Sequence, residues 1–222
     1  MYENLIKEFE DSLEDNVFET LSFNFAKKDL AESKANLKFL IGVPGSGKTF
    51  LLKHTYQDIP ILSTLLSKED IDNALKENNF LIIDEAQTLD NSLIEYIRML
   101  SDTKKYNFIL SMHLKEAKEI LNKEHFKSRS IDVVELQPIS KNEMIQYINV
   151  KLLENNANHL FTKKEFNKIY KYTKGNFRYI KKFVKTLFEL LEFATTNKIQ
   201  KHLKINNCLI TMTALKLGLE NE

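Results

Sequence analysis

The chain has 222 residues, 43% of them apolar, and a formal charge of +1, which supports a real core and suits one large domain or two small ones. The single cysteine, Cys208, excludes an internal disulfide and a Cys-rich metal site, and the five histidines are scattered without ligand spacing. With no N-terminal signal pattern and no apolar run of membrane-spanning length, the expectation is a soluble cytoplasmic protein that reaches any membrane through a partner.

Residues 2–15 read as an amphipathic helix with Leu5, Ile6, Phe9 and Leu13 on one stripe, and 16–36 as a linker carrying Phe18, Phe23 and Phe25. Strands are expected at about 37–42, 59–63, 79–84, 106–111 and 131–136. Helices at 47–57, 66–77, 90–102 and 115–122 fall between them. That alternation predicts an α/β fold with a five-stranded parallel sheet and crossover helices. The run Phe80-Leu81-Ile82-Ile83 lacks polar alternation, as a strand buried on both faces should. After Pro138 the pattern is helical only, at 140–154, 163–172, 175–195 and 206–217, with Ser140 and Glu143 spaced as a capping box. The expected organisation is an N-terminal helix and linker over 1–36, an α/β domain over 37–139 and a small all-helical domain over 140–222.

The stretch Gly42-Val43-Pro44-Gly45-Ser46-Gly47-Lys48-Thr49 is a complete phosphate-binding loop, and it holds three of the chain's five glycines. It follows an apolar β-like run and precedes the helix-like Phe50-Leu51-Leu52-Lys53-His54, the strand, loop, helix context in which the pattern carries meaning. The glycines let backbone N–H groups curl around phosphates, Lys48 reaches the outer phosphates, and the Thr49 hydroxyl ligates Mg²⁺. Phe50, next in the chain, joins the expected nucleotide-binding set. The ligands implied are ATP and Mg²⁺.

A second motif ends the run Phe80-Leu81-Ile82-Ile83-Asp84-Glu85, with Asp84 lying 36 residues beyond Lys48. A buried strand ending in a carboxylate delivers it to the sheet edge where ligands bind in open α/β folds. Asp84 would hold Mg²⁺, directly or through water, and Glu85 would orient and activate the attacking water.

Charge is distributed unevenly. Residues 140–204 hold 14 Lys/Arg and 5 Asp/Glu, a balance of +9, whereas residues 1–139 balance to −7. The basic half suits nucleic acid, anionic lipid or an acidic partner, and a solvated lysine-rich surface would read the same way. The chain has 29 lysines but only three arginines, Arg98, Arg129 and Arg178. Arginine offers a planar, permanently charged fork that lysine lacks.

With both nucleotide motifs in place, residues 37–195 resemble the AAA+ ATPases. The resemblance makes Ser111, ending Phe108-Ile109-Leu110, the first sensor, with His113 as the less favoured substitute. It makes Arg129, in Lys127-Ser128-Arg129-Ser130 ahead of Ile131-Asp132-Val133-Val134, a finger reaching the neighbouring subunit's nucleotide. That segment is similar to the Ser-Arg-Cys box of clamp-loader subunits, with Ser130 in place of the cysteine. Gly175-Asn176-Phe177-Arg178 fits the family's second sensor, so Arg178 would read the γ-phosphate from the lid. Arg98 has no role in this pattern.

The box Asp84-Glu85-Ala86-Gln87 and the ending Leu209-Ile210-Thr211-Met212-Thr213-Ala214-Leu215-Lys216-Leu217-Gly218-Leu219 are similar to the ExeA/GspA-like ATPases of type II secretion, type IV pilus and DNA-uptake systems. That resemblance implies an ATP-hydrolysing homo- or hetero-oligomer with a membrane-bound partner protein, peripheral at the inner membrane. The family's membrane span and peptidoglycan-binding region are not recognisable in this sequence. Two other readings stay open: a replication AAA+ protein (a DnaA-related regulator or clamp-loader-like subunit), and an ATP-dependent adaptor that hydrolyses slowly.

Overall fold

A computed structural model of the protein describes residues 2–10, 18–63, 66–127, 129, 131–157, 159–199 and 204–219. In chain order its elements begin with α1 (Tyr2–Glu8), α2 (Leu21–Glu32), β1 (Leu37–Gly42), α3 (Lys48–Thr55), β2 (Ile61–Ser63), α4 (Lys68–Glu77) and β3 (Phe80–Asp84). There follow a 3₁₀ turn (Ala86–Thr88), α5 (Asn91–Asp102), β4 (Asn107–His113), α6 (Leu114–Leu121), α7 (Glu124–Lys127) and β5 (Asp132–Glu135). The rest is helical: α8 (Lys141–Leu153), α9 (Lys163–Thr173), α10 (Phe177–Thr196) and α11 (Asn207–Lys216). The chain forms two compact units, Leu21–Gln137 and Met1–Thr20 with Pro138–Glu222.

In the first unit the five strands make one sheet in the order β2-β3-β4-β1-β5, and every pairing is parallel, as the alternation of elements requires. The middle strands are apolar on both faces because helices cover both. Phe39, Ile41, Leu81, Ile83, Phe108, Leu110 and Met112 share one core with α4, α5 and α6 residues such as Ile71, Ile97 and Ala117. On the opposite face Leu40, Ile82 and Ile109 are equally buried. Burial of this kind stabilises by ~25 cal/mol per Å² of apolar surface removed from water.

The segment expected to be a linker over 16–36 contains a helix instead. In α2, Phe23, Ala26 and Leu30 recur on one side and are buried. Its remaining sequence is polar or exposed, Leu21 and Phe25 included, so the periodicity is weak and packing rather than propensity holds the helix. The Phe23 ring packs at a tilt against Phe50 of α3, with centroids 6.2 Å apart, and Lys38 Nζ donates to the Leu30 carbonyl at 2.9 Å. Burial pushes the Lys38 ammonium below its usual pKa, and Asp132 offsets part of that. β4 also runs two residues past the expected end, to His113.

The second unit packs around Phe9, Met144, Ile148, Ile169, Phe183, Leu187 and Phe188. α1 lies in this core through Leu5, joined by Phe9 just after the helix; residues 11–15 of the expected N-terminal helix, Leu13 among them, lie outside the described residues. The Ser140–Glu143 capping box forms as the spacing implied, and Thr162–Glu165 makes another at α9. Gly175 sits at φ +73, where a Cβ would lie 2.2 Å from the Ile139 carbonyl oxygen. Its own carbonyl accepts from the Ile139 N–H at 3.0 Å. Among the described residues, no helix is long and apolar enough to cross a membrane.

Candidate nucleotide site

β1 ends at Gly42, and the chain must turn at once into α3. Gly42 has no room for a side chain: a Cβ there would lie 2.8 Å from both the Leu136 carbonyl oxygen and Ser46 Oγ. Gly45 and Gly47 take φ of 80 and 100, conformations that favour glycine. Gly47 is the N-cap of α3 and offers no side-chain cap, so the first N–H groups of the helix point into the loop's concavity, an anion-binding arrangement. Lys48 is 5% exposed, and its Nζ donates to the carbonyls of Gly42 at 3.1 Å and Val43 at 3.4 Å. The ammonium therefore lies inside the loop that it closes. Pro44 is exposed and Ser46 half-buried. The Phe50 ring packs on Phe23 and His54, so any contact with a phosphate would fall to its backbone.

Thr49 Oγ1 donates to Asp84 Oδ2 at 2.6 Å. The strand register explains why a serine accompanies them. Ile82 pairs with Ile109 and Ile83 with Leu110, so Asp84 and Ser111 are the next lateral neighbours, on the same face of the sheet. Asp84 is 5% exposed and Ser111 fully buried. Asp84 Oδ1, Ser111 Oγ and Ser46 Oγ are buried without a hydrogen-bond partner among the described residues. Buried polar atoms are normally satisfied. The unpartnered second oxygen of Asp84, beside its contact with Thr49 and with Ser111 next to it in register, fits a hydrated Mg²⁺ ion, whose ligands are hard oxygens.

Glu85 follows in a left-handed conformation, φ 54, which is costly for a residue with a Cβ and clusters at functional sites. Its Oε2 accepts a hydrogen bond from Gln87 Nε2, and His113 Nε2 lies 3.5 Å from the same oxygen. The Gln87 Oε1 in turn accepts from the His113 backbone N–H at 3.3 Å. His113, the less favoured sensor position, sits beside Glu85 at the end of β4.

Arg129 lies apart from these residues, beyond α7. Its Nε donates to Asp102 at 3.0 Å and its Nη1 to the His125 carbonyl at 2.6 Å. The same Asp102 carboxylate accepts from Arg98 Nη1 at 2.6 Å. Arg98, without a role in the sequence pattern, is 7% exposed and also donates to Glu95. Their hydrogen bond raises the Arg98 pKa and lowers that of Glu95. The arginine-poor composition pointed at all three arginines; only contacts across α5 and α7 show Arg98 joined to Arg129 through Asp102. Ser128 and Ser130 lie outside the described residues.

Arg178 belongs to the helical unit. It is exposed in the first turn of α10, whose N-cap, Asn176, accepts from the Tyr179 N–H at 3.2 Å. Gly175 and Asn176 of the second-sensor motif thus perform local structural work, a tight turn and a cap, that presents Arg178 at a helix start.

A parallel sheet in this order, with the phosphate loop after β1 and Asp84 closing β3, has the architecture of AAA+ P-loop ATPases. The solved structures it resembles are of that kind. The Walker-type ATPase Paby2304 of Pyrococcus abyssi aligns with TM-score 0.63 at 13% identity, over 83% of this chain and 75% of that one. Domain III of the replication initiation protein DnaA from Thermotoga maritima aligns with TM-score 0.56 at 18% identity, over 99% of this chain and 96% of that one. Hsp104 in its closed state with ATPγS and casein aligns with TM-score 0.60 at 16% identity, over 91% of this chain but 43% of that one. No family model matches the sequence, and no curated protein matches it. The likeness is one of fold.

Proposed function

We propose that this protein is an AAA+ ATPase that binds and hydrolyses MgATP and works as a subunit of an assembly. The observation that carries the reading is the Thr49–Asp84 contact at 2.6 Å, with the second Asp84 oxygen buried and unpartnered and Glu85 next in the chain. Thr49 and Asp84 would hold Mg²⁺, which would supply charge neutralisation at the phosphate oxygens. The loop N–H groups of Gly45 to Thr49 and the Lys48 ammonium bind the phosphates. Glu85 orients water and takes its proton as the water oxygen bonds to the γ-phosphorus and the ADP oxygen leaves. Ser111 lies beside Asp84 at the sheet edge and donates to the γ-phosphate or the water. Arg129 supplies a finger to a neighbouring subunit, and Arg178 reports the nucleotide to the helical unit.

ATP turnover by the purified protein tests this, with Glu85→Gln as the control. Hydrolysis that stalls while labelled ATP stays bound supports the reading. Wild-type turnover in Glu85→Gln refutes Glu85 as the base.

For the pathway, the Asp84-Glu85-Ala86-Gln87 box supports a secretion, pilus or DNA-uptake machine, with a membrane-bound partner. A replication role is the second reading, favoured by a match that spans nearly all of both this chain and DnaA domain III. Capture of envelope machinery by the tagged protein supports the first, and capture of replication proteins the second.

A further inference from the structure

Gln87 takes no part in the proposed hydrolysis, yet its side chain joins Glu85 to the end of β4. Its amide Nε2 donates to Glu85 Oε2. Its Oε1 accepts from the His113 N–H at 3.3 Å. His113 closes β4, two residues beyond Ser111. The Glu85 backbone is in the left-handed region, and its side chain is 40% exposed. Nothing about strand β3 itself fixes the direction of that carboxylate, because Glu85 has already left the strand.

We infer that Gln87 is a positioning residue for water activation: it locks the Glu85 carboxylate to the end of β4, beside Ser111. With Oε2 held by Gln87, and His113 alongside, Oε1 is the oxygen left to take the proton from water. One amide does both jobs because glutamine carries a donor and an acceptor on one planar group. A hydrophobic residue of the same length could do neither, and a glutamate could only accept. The inference rests on Glu85 as the base. It gives the fourth residue of the box a chemical reason for being glutamine. A base held in a near-attack geometry gains strongly from small corrections, since a misplacement of ~1 Å costs about 10²-fold in rate.

Two variants separate the two ends of the amide. Gln87→Met keeps the length and removes both hydrogen bonds. Gln87→Glu keeps an acceptor for the His113 N–H and loses the donor to Glu85. Steady-state ATP hydrolysis gives kcat and KM, and amide hydrogen exchange on the nucleotide-free protein reads the His113 N–H directly. Both variants are expected to lose about 10- to 100-fold in kcat with KM for ATP within about twofold of wild type. Exchange at His113 should rise by about tenfold in Gln87→Met and stay slow in Gln87→Glu. Wild-type kcat in either variant overturns the inference, and so does a loss that appears in KM as much as in kcat. If Gln87→Met fails to fold, Gln87→Glu alone decides by the same kcat criterion. Glu85→Gln, run in parallel, keeps the two ideas apart. If it hydrolyses ATP normally, the base assignment fails. If it stalls while the Gln87 variants are fully active, the positioning role alone fails.

Discussion

Thr49 and Asp84 are 35 residues apart in sequence, and the threonine hydroxyl donates to the aspartate carboxylate at 2.6 Å. One closes the phosphate loop and the other closes β3. Their meeting puts a hydroxyl and a carboxylate side by side next to the loop. Asp84→Asn keeps the size and weakens the acceptor. It should raise the Mg²⁺ concentration needed for half-maximal turnover and lower kcat by ~100-fold. Turnover measured across a Mg²⁺ titration checks this; an unchanged curve would take Asp84 out of the metal site.

Lys48→Ala should weaken nucleotide binding by about 100-fold, the scale of losing one or two charge-assisted hydrogen bonds. Melting temperature should not fall in step, because the Lys48 bonds to Gly42 and Val43 are local to the loop. Titration with a fluorescent ATP analogue reads the affinity. Equal affinity in wild type and mutant would remove the loop from the mechanism.

Arg129 is tied to Asp102 within its own chain. If it serves a neighbour's nucleotide, activity per subunit should climb with protein concentration, and Arg129→Ala should lose most of that climb, by ~10³-fold or more where a finger is the main catalyst. ATP binding should survive. Mixing Arg129→Ala with Glu85→Gln should restore some turnover, since intact fingers and intact bases then meet at mixed interfaces. A specific activity flat with concentration, and equal in Arg129→Ala, would leave a self-sufficient monomer.

Gly175→Ala tests the turn ahead of Arg178. The backbone at φ +73 and the 2.2 Å approach to the Ile139 carbonyl both penalise a Cβ. We expect a loss of about 1–3 kcal/mol in denaturant unfolding. A midpoint equal to wild type would mean that the turn relaxes freely.

The α9 and α10 region from Lys163 to Lys185 carries nine Lys/Arg and a single acid, Glu165. That acid caps α9 with Thr162. Lys163, Lys164, Lys171, Arg178 and Lys182 are exposed. If this surface holds nucleic acid, affinity for a labelled DNA oligonucleotide should fall steeply with salt, with a log–log slope near the number of phosphates neutralised. Changing Lys164, Lys171 and Lys182 to glutamate together should abolish it. No binding at low salt assigns the charge to another kind of partner or to solvation.

The phosphate loop, the Asp84–Glu85 pair and the order of strands and helices were written in the sequence, because each depends on residues adjacent in the chain. Glycine at positive φ, an apolar run ending in a carboxylate and a capping box at Ser140 are local facts. Other features were invisible for an equally physical reason. α2 reads as linker because its buried side is only Phe23, Ala26 and Leu30, and its stability comes from packing on elements far away in sequence. The Gln87–His113 bond spans 26 residues and the Arg129–Asp102 pair 27. Residue types and spacing do not encode such pairs. Composition flagged three arginines, but the join of Arg98 to Arg129 through one carboxylate required α5 and the segment after α7 to be brought side by side. Sequence alone thus determined which motifs the chain carries, since their backbone demands are local. The tertiary structure decided how those groups are held, because side-chain hydrogen bonds between separate elements depend on strand register and helix packing.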